Sequence, residues 1–122
     1  GWVPGTGGEE ALYLMARDRW AEVERIGADA LPAVAEALSD PSIEVRTNAA
    51  RTIARIGGDA AIAPLIRALE DDALAVRKRA EQALIDMGDA VLPALTLAAE
   101  EGRPEAREEL RRIIDEIRRK GP

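Results

Sequence analysis

The chain has no cysteine, no histidine and no phenylalanine among its 122 residues. Without cysteine, neither a disulfide framework nor thiolate chemistry is available. Without histidine, it lacks the commonest general base and the commonest metal ligand. Aromatic residues are limited to one Tyr and two Trp, so a core has to be assembled from Ala, Leu, Ile and Val, side chains that suit closely packed helices. No apolar run approaches the roughly 20 residues of a membrane span. Only Ser39 and Ser42 are available as serine nucleophiles. Neither has an imidazole to activate it, which excludes a Ser–His–acid triad.

What the chain does have is charge. It carries 23 acidic against 17 basic residues, a net charge of -6. Such a chain repels phosphate backbones, which argues against nucleic acid as a partner. The length is that of one domain, able to bury roughly 65% of its unfolded surface. The opening residues, Gly-Trp-Val-Pro-Gly, have neither an initiator Met nor a signal-peptide pattern. The chain is expected to be cut from a longer protein and to reside in the cytoplasm.

A unit of about thirty residues occurs three times. Asp29, Asp59 and Asp89 mark one position, Gly27, Gly57 and Gly88 a second, and Arg46, Arg77 and Arg107 a third. Self-similarity at this period means a stacked array, in which each unit buries its apolar face against its neighbours. Residues 1–8 read as a Gly- and Pro-rich arm, and Thr6 with Glu9 has capping-box spacing. A single N-terminal helix is expected over 9–27, followed by helix-pair units at 29–57, 59–88 and 89–121. Asp29, Asp59 and Asp89 are expected to cap the first helix of each unit, and Asp40-Pro41 to open a second helix. The second helices carry apolar stripes, Val45, Ala49, Ile53 and Ile56 in one and Val76, Ala80, Leu84 and Met87 in the next. The last has Ala106, Leu110, Ile113, Ile114 and Ile117. No strand signal is present.

Val45-Arg46 with Ala49 and Ile56-Gly57, and Val76-Arg77 with Ala80 and Met87-Gly88, resemble HEAT-like repeats. They are most similar to the short bacterial and archaeal variety also seen in phycobilin lyase subunits. In the third unit Ala106-Arg107 and Leu110 depart from the pattern. The resemblance implies an all-α, right-handed superhelix with about three helix pairs after the N-terminal helix. It implies a non-catalytic protein-interaction or scaffold role, exercised on the concave face of the second helices, with no cofactor. Two alternatives are an accessory subunit handling a protein-attached tetrapyrrole and an engineered repeat scaffold. HEAT-like DNA glycosylases need a basic concave surface, which the net charge disfavours.

Six residues before each repeat Arg stands an acid: Asp40 and Arg46, Asp71 and Arg77, Glu101 and Arg107. Stacking brings the acid and Arg of neighbouring units within reach, so these six residues are expected to form a structural ladder along the turns. Glu70-Asp71-Asp72 lacks the loop that a calcium site needs. Gly5-Thr6-Gly7-Gly8 lacks the Lys-Ser/Thr ending of a phosphate cradle. With the apolar stripes inward, the exposed side of the second helices has a basic centre of Arg51, Arg55, Lys78 and Arg79. Gln82 and Arg112 lie beside it. This set is the candidate site for a partner with an acidic surface.

The ends differ. The last helix has a polar back, with Glu108 facing Arg112 and Asp115 facing Arg119. The first has Ala11 through Ala16, six apolar residues in a row, wider than one stripe. The Trp2-Val3 arm, an upstream helix or a second copy of the chain, giving a homodimer, is expected to cover it.

Overall fold

The computed structural model describes residues 7–121. The Thr6 cap, the Trp2-Val3 cover and most of the 1–8 arm lie outside the described residues, while Gly7 and Gly8 form the first turn of a helix. Eight α-helices follow in order: α1 (Gly7–Ala16), α2 (Trp20–Ile26), α3 (Leu31–Ala37), α4 (Ile43–Ile56), α5 (Asp59–Ala68), α6 (Leu74–Met87), α7 (Leu92–Glu101) and α8 (Pro104–Lys120). Single 3₁₀ turns at Gly27–Ala30 and Gly88–Val91 lead into α3 and α7. Among the described residues there is no strand.

Each odd-numbered helix packs on the even-numbered helix that follows it. The odd helices also touch in succession, α1 to α3 to α5 to α7, and so do the even ones, α2 to α4 to α6 to α8. The result is a two-layered all-α solenoid. Its seam is filled by Val23, Val34, Ile53, Leu65, Val76, Leu84, Leu95 and Ile113, all fully buried, each side chain contributing about 1.5–3 kcal/mol relative to exposure. Ala49 and Ala80 of the repeated motif are also fully buried. A methyl group at these positions lets neighbouring helices approach closely.

The N-terminal segment is not the single helix expected over 9–27. It breaks at Arg17–Arg19, where Asp18 takes φ 59, a backbone region that Asp tolerates better than most residues. Asp18 Oδ1 accepts the Trp20 indole N–H at 2.8 Å. That satisfies the one polar group of a side chain that is otherwise buried. Helices α1 and α2 therefore form a pair of their own at the head of the stack, although α2 has 7 residues where α4 and α6 have 14.

The caps also differ from expectation. Asp29 and Asp89 lie inside the 3₁₀ turns, and Asp59 is the first residue of α5, behind Gly58. None accepts a capping hydrogen bond from its helix. Their charge still favours the positive end of the following helix. Ser42, not Asp40, caps α4, its Oγ accepting the Val45 amide at 3.3 Å. Gly57 and Gly88 end α4 and α6 at φ 67 and 70, where an L side chain is strained. The segment 74–101 contains an apolar window of membrane-span length. The turn at Gly88 divides that window, so it is not one helix.

Candidate functional site

The repeat arginines reach back to the turn that precedes them. Arg46 Nη1 donates to the carbonyl oxygens of Asp40 and Pro41 at 2.8 and 3.0 Å. Arg77 Nη1 donates to the Asp71 carbonyl at 2.8 Å. Arg107 Nε and Nη2 donate to the carbonyls of Ala99 and Gly102 at 3.1 and 3.4 Å. In the first two units the six-residue spacing thus serves a guanidinium bond to the acid's own carbonyl, whereas Arg107 passes over Glu101.

Between units the ladder has one Arg–carboxylate rung among the described residues. Arg46 Nε meets Asp71 Oδ2 at 3.0 Å, and Arg46 Nη2 meets Asp72 Oδ1 at 3.2 Å. Asp40 and Asp71 sit in extended turns, where their Oδ1 atoms accept the amides of Ser42 and Ala73, both at 2.9 Å. The structure does not bring Arg77 to Glu101. Glu101 is still the last residue of α7, so its side chain leaves from a helix rather than a turn. The residue as far beyond Asp71 as Asp71 is beyond Asp40 is Gly102. A Cβ there would meet the Ala98 carbonyl oxygen at 2.8 Å. The acidic cluster at 70–72 is held by guanidinium groups, Asp71 and Asp72 by Arg46 and Glu70 by Arg103 at 3.8 Å.

On the second-helix layer the six candidate residues divide. Arg55 of α4 reaches Glu24 of α2 at 3.4 Å, and Arg112 of α8 reaches Glu81 of α6 at 3.0 Å. The hydrogen bond that Arg112 donates to Glu81 raises its guanidinium above the ordinary pKa, against a smaller opposing effect of burial. Gln82 donates to Asp86 at 2.9 Å. Among the described residues Arg51 Nη2 donates to Asn48 Oδ1, at 2.6 Å, and meets no carboxylate. Lys78 and Arg79 are exposed and have no carboxylate partner among the described residues. The basic centre is therefore Arg51, Lys78 and Arg79, and two of the candidate arginines act as ties between successive units.

A groove of about 1030 Å³ opens between α5 and α7 and reaches the first turns of α8. Ala63 and Ile66 form one wall, and Ala94, Leu97 and Ala98 the other. Ile62, Leu69 and Leu110, nearly buried, form its floor. Sequence reasoning missed it. Leu95 and Ala99 are the buried residues of α7, and the available signal in the sequence was Leu97, an apolar residue off their stripe.

A family model described as HEAT repeats matches residues 11–85 and 31–116. The chain belongs to the HEAT-repeat family. No curated protein matches it. HEAT repeats commonly mediate protein–protein interaction or scaffolding, and the family is typically non-catalytic. In HEAT-repeat terms the rung and the two Arg–Glu ties belong to the stack.

Proposed function

We propose that this chain is a non-catalytic interaction module that receives an acidic protein surface on its second-helix layer. The supporting observation is the charge balance of that layer. Arg55 and Arg112 have carboxylates of the preceding unit, whereas Arg51, Lys78 and Arg79 have none among the described residues. Like charges held on one face of an acidic chain gain most when a partner brings the opposite charge. Each exposed pair contributes about 0.2–1 kcal/mol, so binding is modest and weakens with salt. The tetrapyrrole-handling alternative needs two guanidiniums for the propionates, and Arg55 already holds Glu24.

The test is retention of proteins on the immobilised chain, compared with the variant Arg51→Glu/Lys78→Glu. Acidic-surfaced proteins are expected on the parent at low salt and lost from the variant, with an unchanged helical circular dichroism spectrum. Retention indifferent to the double reversal would remove this face as the site.

A further inference from the structure

We infer that the α5–α7 groove is a second docking site, for a segment of a partner protein with an apolar face and basic ends. This inference is independent of the acidic partner proposed for the second-helix layer, because the groove lining includes none of Arg51, Lys78 and Arg79 and calls for the opposite charge.

The groove is apolar where it is deep. Ala63, Ala94 and Ala98 face the opening, and their small side chains leave the volume unfilled. Leu97 stands at the wall with 55% of its surface exposed. At about 1030 Å³ the space lies at the upper edge of small-molecule pockets, roughly 300–1,000 Å³. It has the form of a channel between two helices. From Asp59 to Ala68 it runs roughly 14 Å along α5, at 1.5 Å per residue. That length suits two to three turns of a docked helix, which presents anchors at i, i+3 and i+4 to such a groove.

The rim supplies the sign of the partner's charge. Seven carboxylates line the groove against three guanidiniums, of which Arg103 meets Glu70 while Arg67 and Arg77 donate to the Ala35 and Asp71 carbonyls. Asp59 at one end of the groove, and Glu101 and Glu105 at the other, are exposed and have no ion pair among the described residues. An apolar channel with unmatched carboxylates at both ends is complementary to a basic–apolar–basic segment.

The experiment uses the full chain and a fluorescent synthetic peptide of about twelve residues, with Leu at helical spacing and Lys or Arg at both ends. A control peptide has the same Leu positions and Glu at the ends. Saturable binding of the basic peptide is expected, with the acidic peptide at least tenfold weaker at low salt. Glu101→Lys/Glu105→Lys, both exposed, should weaken the basic peptide threefold or more. Ala63→Trp, which fills the channel, should abolish binding. Arg51→Glu/Lys78→Glu should leave it unchanged, which separates this site from the one proposed on the second-helix layer. Equal binding of the two peptides, or affinity indifferent to Glu101→Lys/Glu105→Lys, would overturn the inference. So would self-association of the chain that Ala63→Trp abolishes, since a second copy would then be the occupant.

Discussion

Arg46 and Asp71 lie on successive units and meet with Nε to Oδ2 at 3.0 Å, their side chains only 12% and 9% exposed. Asp71 divides its work, with Oδ2 on the guanidinium and Oδ1 on the Ala73 amide at 2.9 Å. Breaking a largely buried pair from one side leaves the other charge stranded. Arg46→Ala is therefore expected to cost roughly 2–4 kcal/mol, a large part of a domain's 5–15 kcal/mol or so. Arg77→Ala removes a bond to a carbonyl only and should cost about 1–2 kcal/mol. Urea unfolding followed by circular dichroism orders the two. Equal losses would show that the rung adds nothing beyond the backbone contacts.

On the proposed reading, Glu24 and Glu81 hold two cations of the second-helix layer, Arg55 and Arg112, that an acidic partner would use. Glu24→Gln and Glu81→Gln release Arg55 and Arg112, which should tighten that partner's binding roughly two- to fivefold. The unfolding midpoint should change little. Titrating the retained partner into parent and double variant measures the gain, and a loss of affinity would mean that the glutamates themselves are contacts.

Thr52 is fully buried and its Oγ1 has no hydrogen-bond partner among the described residues. A buried hydroxyl left unmade costs about 1–3 kcal/mol. Thr52→Val keeps the shape and removes the hydroxyl, so the melting temperature should rise. A fall would reveal a partner for the hydroxyl in solution.

At Gly102 the obstacle to a side chain is steric, because its Cβ would meet the Ala98 oxygen at 2.8 Å while φ is not left-handed. At Gly58 the obstacle is conformational, with φ 80 and open space around it. Gly102→Ala is expected to cost about 1–3 kcal/mol and Gly58→Ala about 1–2 kcal/mol. Gly58→Asn should recover part of the latter, since Asn tolerates that region, whereas Gly102→Asn should recover nothing. Thermal melts of the four variants decide this.

Leu12 is 54% exposed on α1, beside half-buried Tyr13 and Met15. Tyr13 is partly covered by the Arg17 guanidinium, 3.8 Å from its ring centre. Light scattering across a concentration series is expected to show reversible self-association through this face, lost in Leu12→Glu without a change in melting temperature. A parent chain that stays monomeric throughout would show that the face needs no second copy.

The period was legible because a helix pair needs a stop and an inward arginine at the same places each time, and Gly57, Gly88, Arg46 and Arg77 are such residues. The break at Asp18 was hidden by the apolar run before it. Six apolar residues read as a helix interior, and only Arg17-Asp18-Arg19 marks the turn. The acid-to-Arg spacing indicated where a rung would lie but not that it forms once. That depends on whether the acid sits in an extended turn, as Asp71 does, or on the last turn of a helix, as Glu101 does. The α5–α7 groove is a volume that Ala63, Ala94 and Ala98 do not fill, so it depends on how far apart two helices settle, which residue spacing does not record.

Asp40 makes the same turn as Asp71, with Oδ1 on the amide two residues ahead, and this bears on how such a chain can lengthen over evolutionary time. A tandem copy of residues 40–70 would set the copied Asp40 where Asp71 now meets Arg46, and the copied Arg46 before the original Asp71. One unequal crossover would then yield a longer stack with every new joint already latched. The joint between α6 and α8 lacks this latch, because Gly102 offers no carboxylate to Arg77. The joint between α4 and α6 is the one that simple copying multiplies.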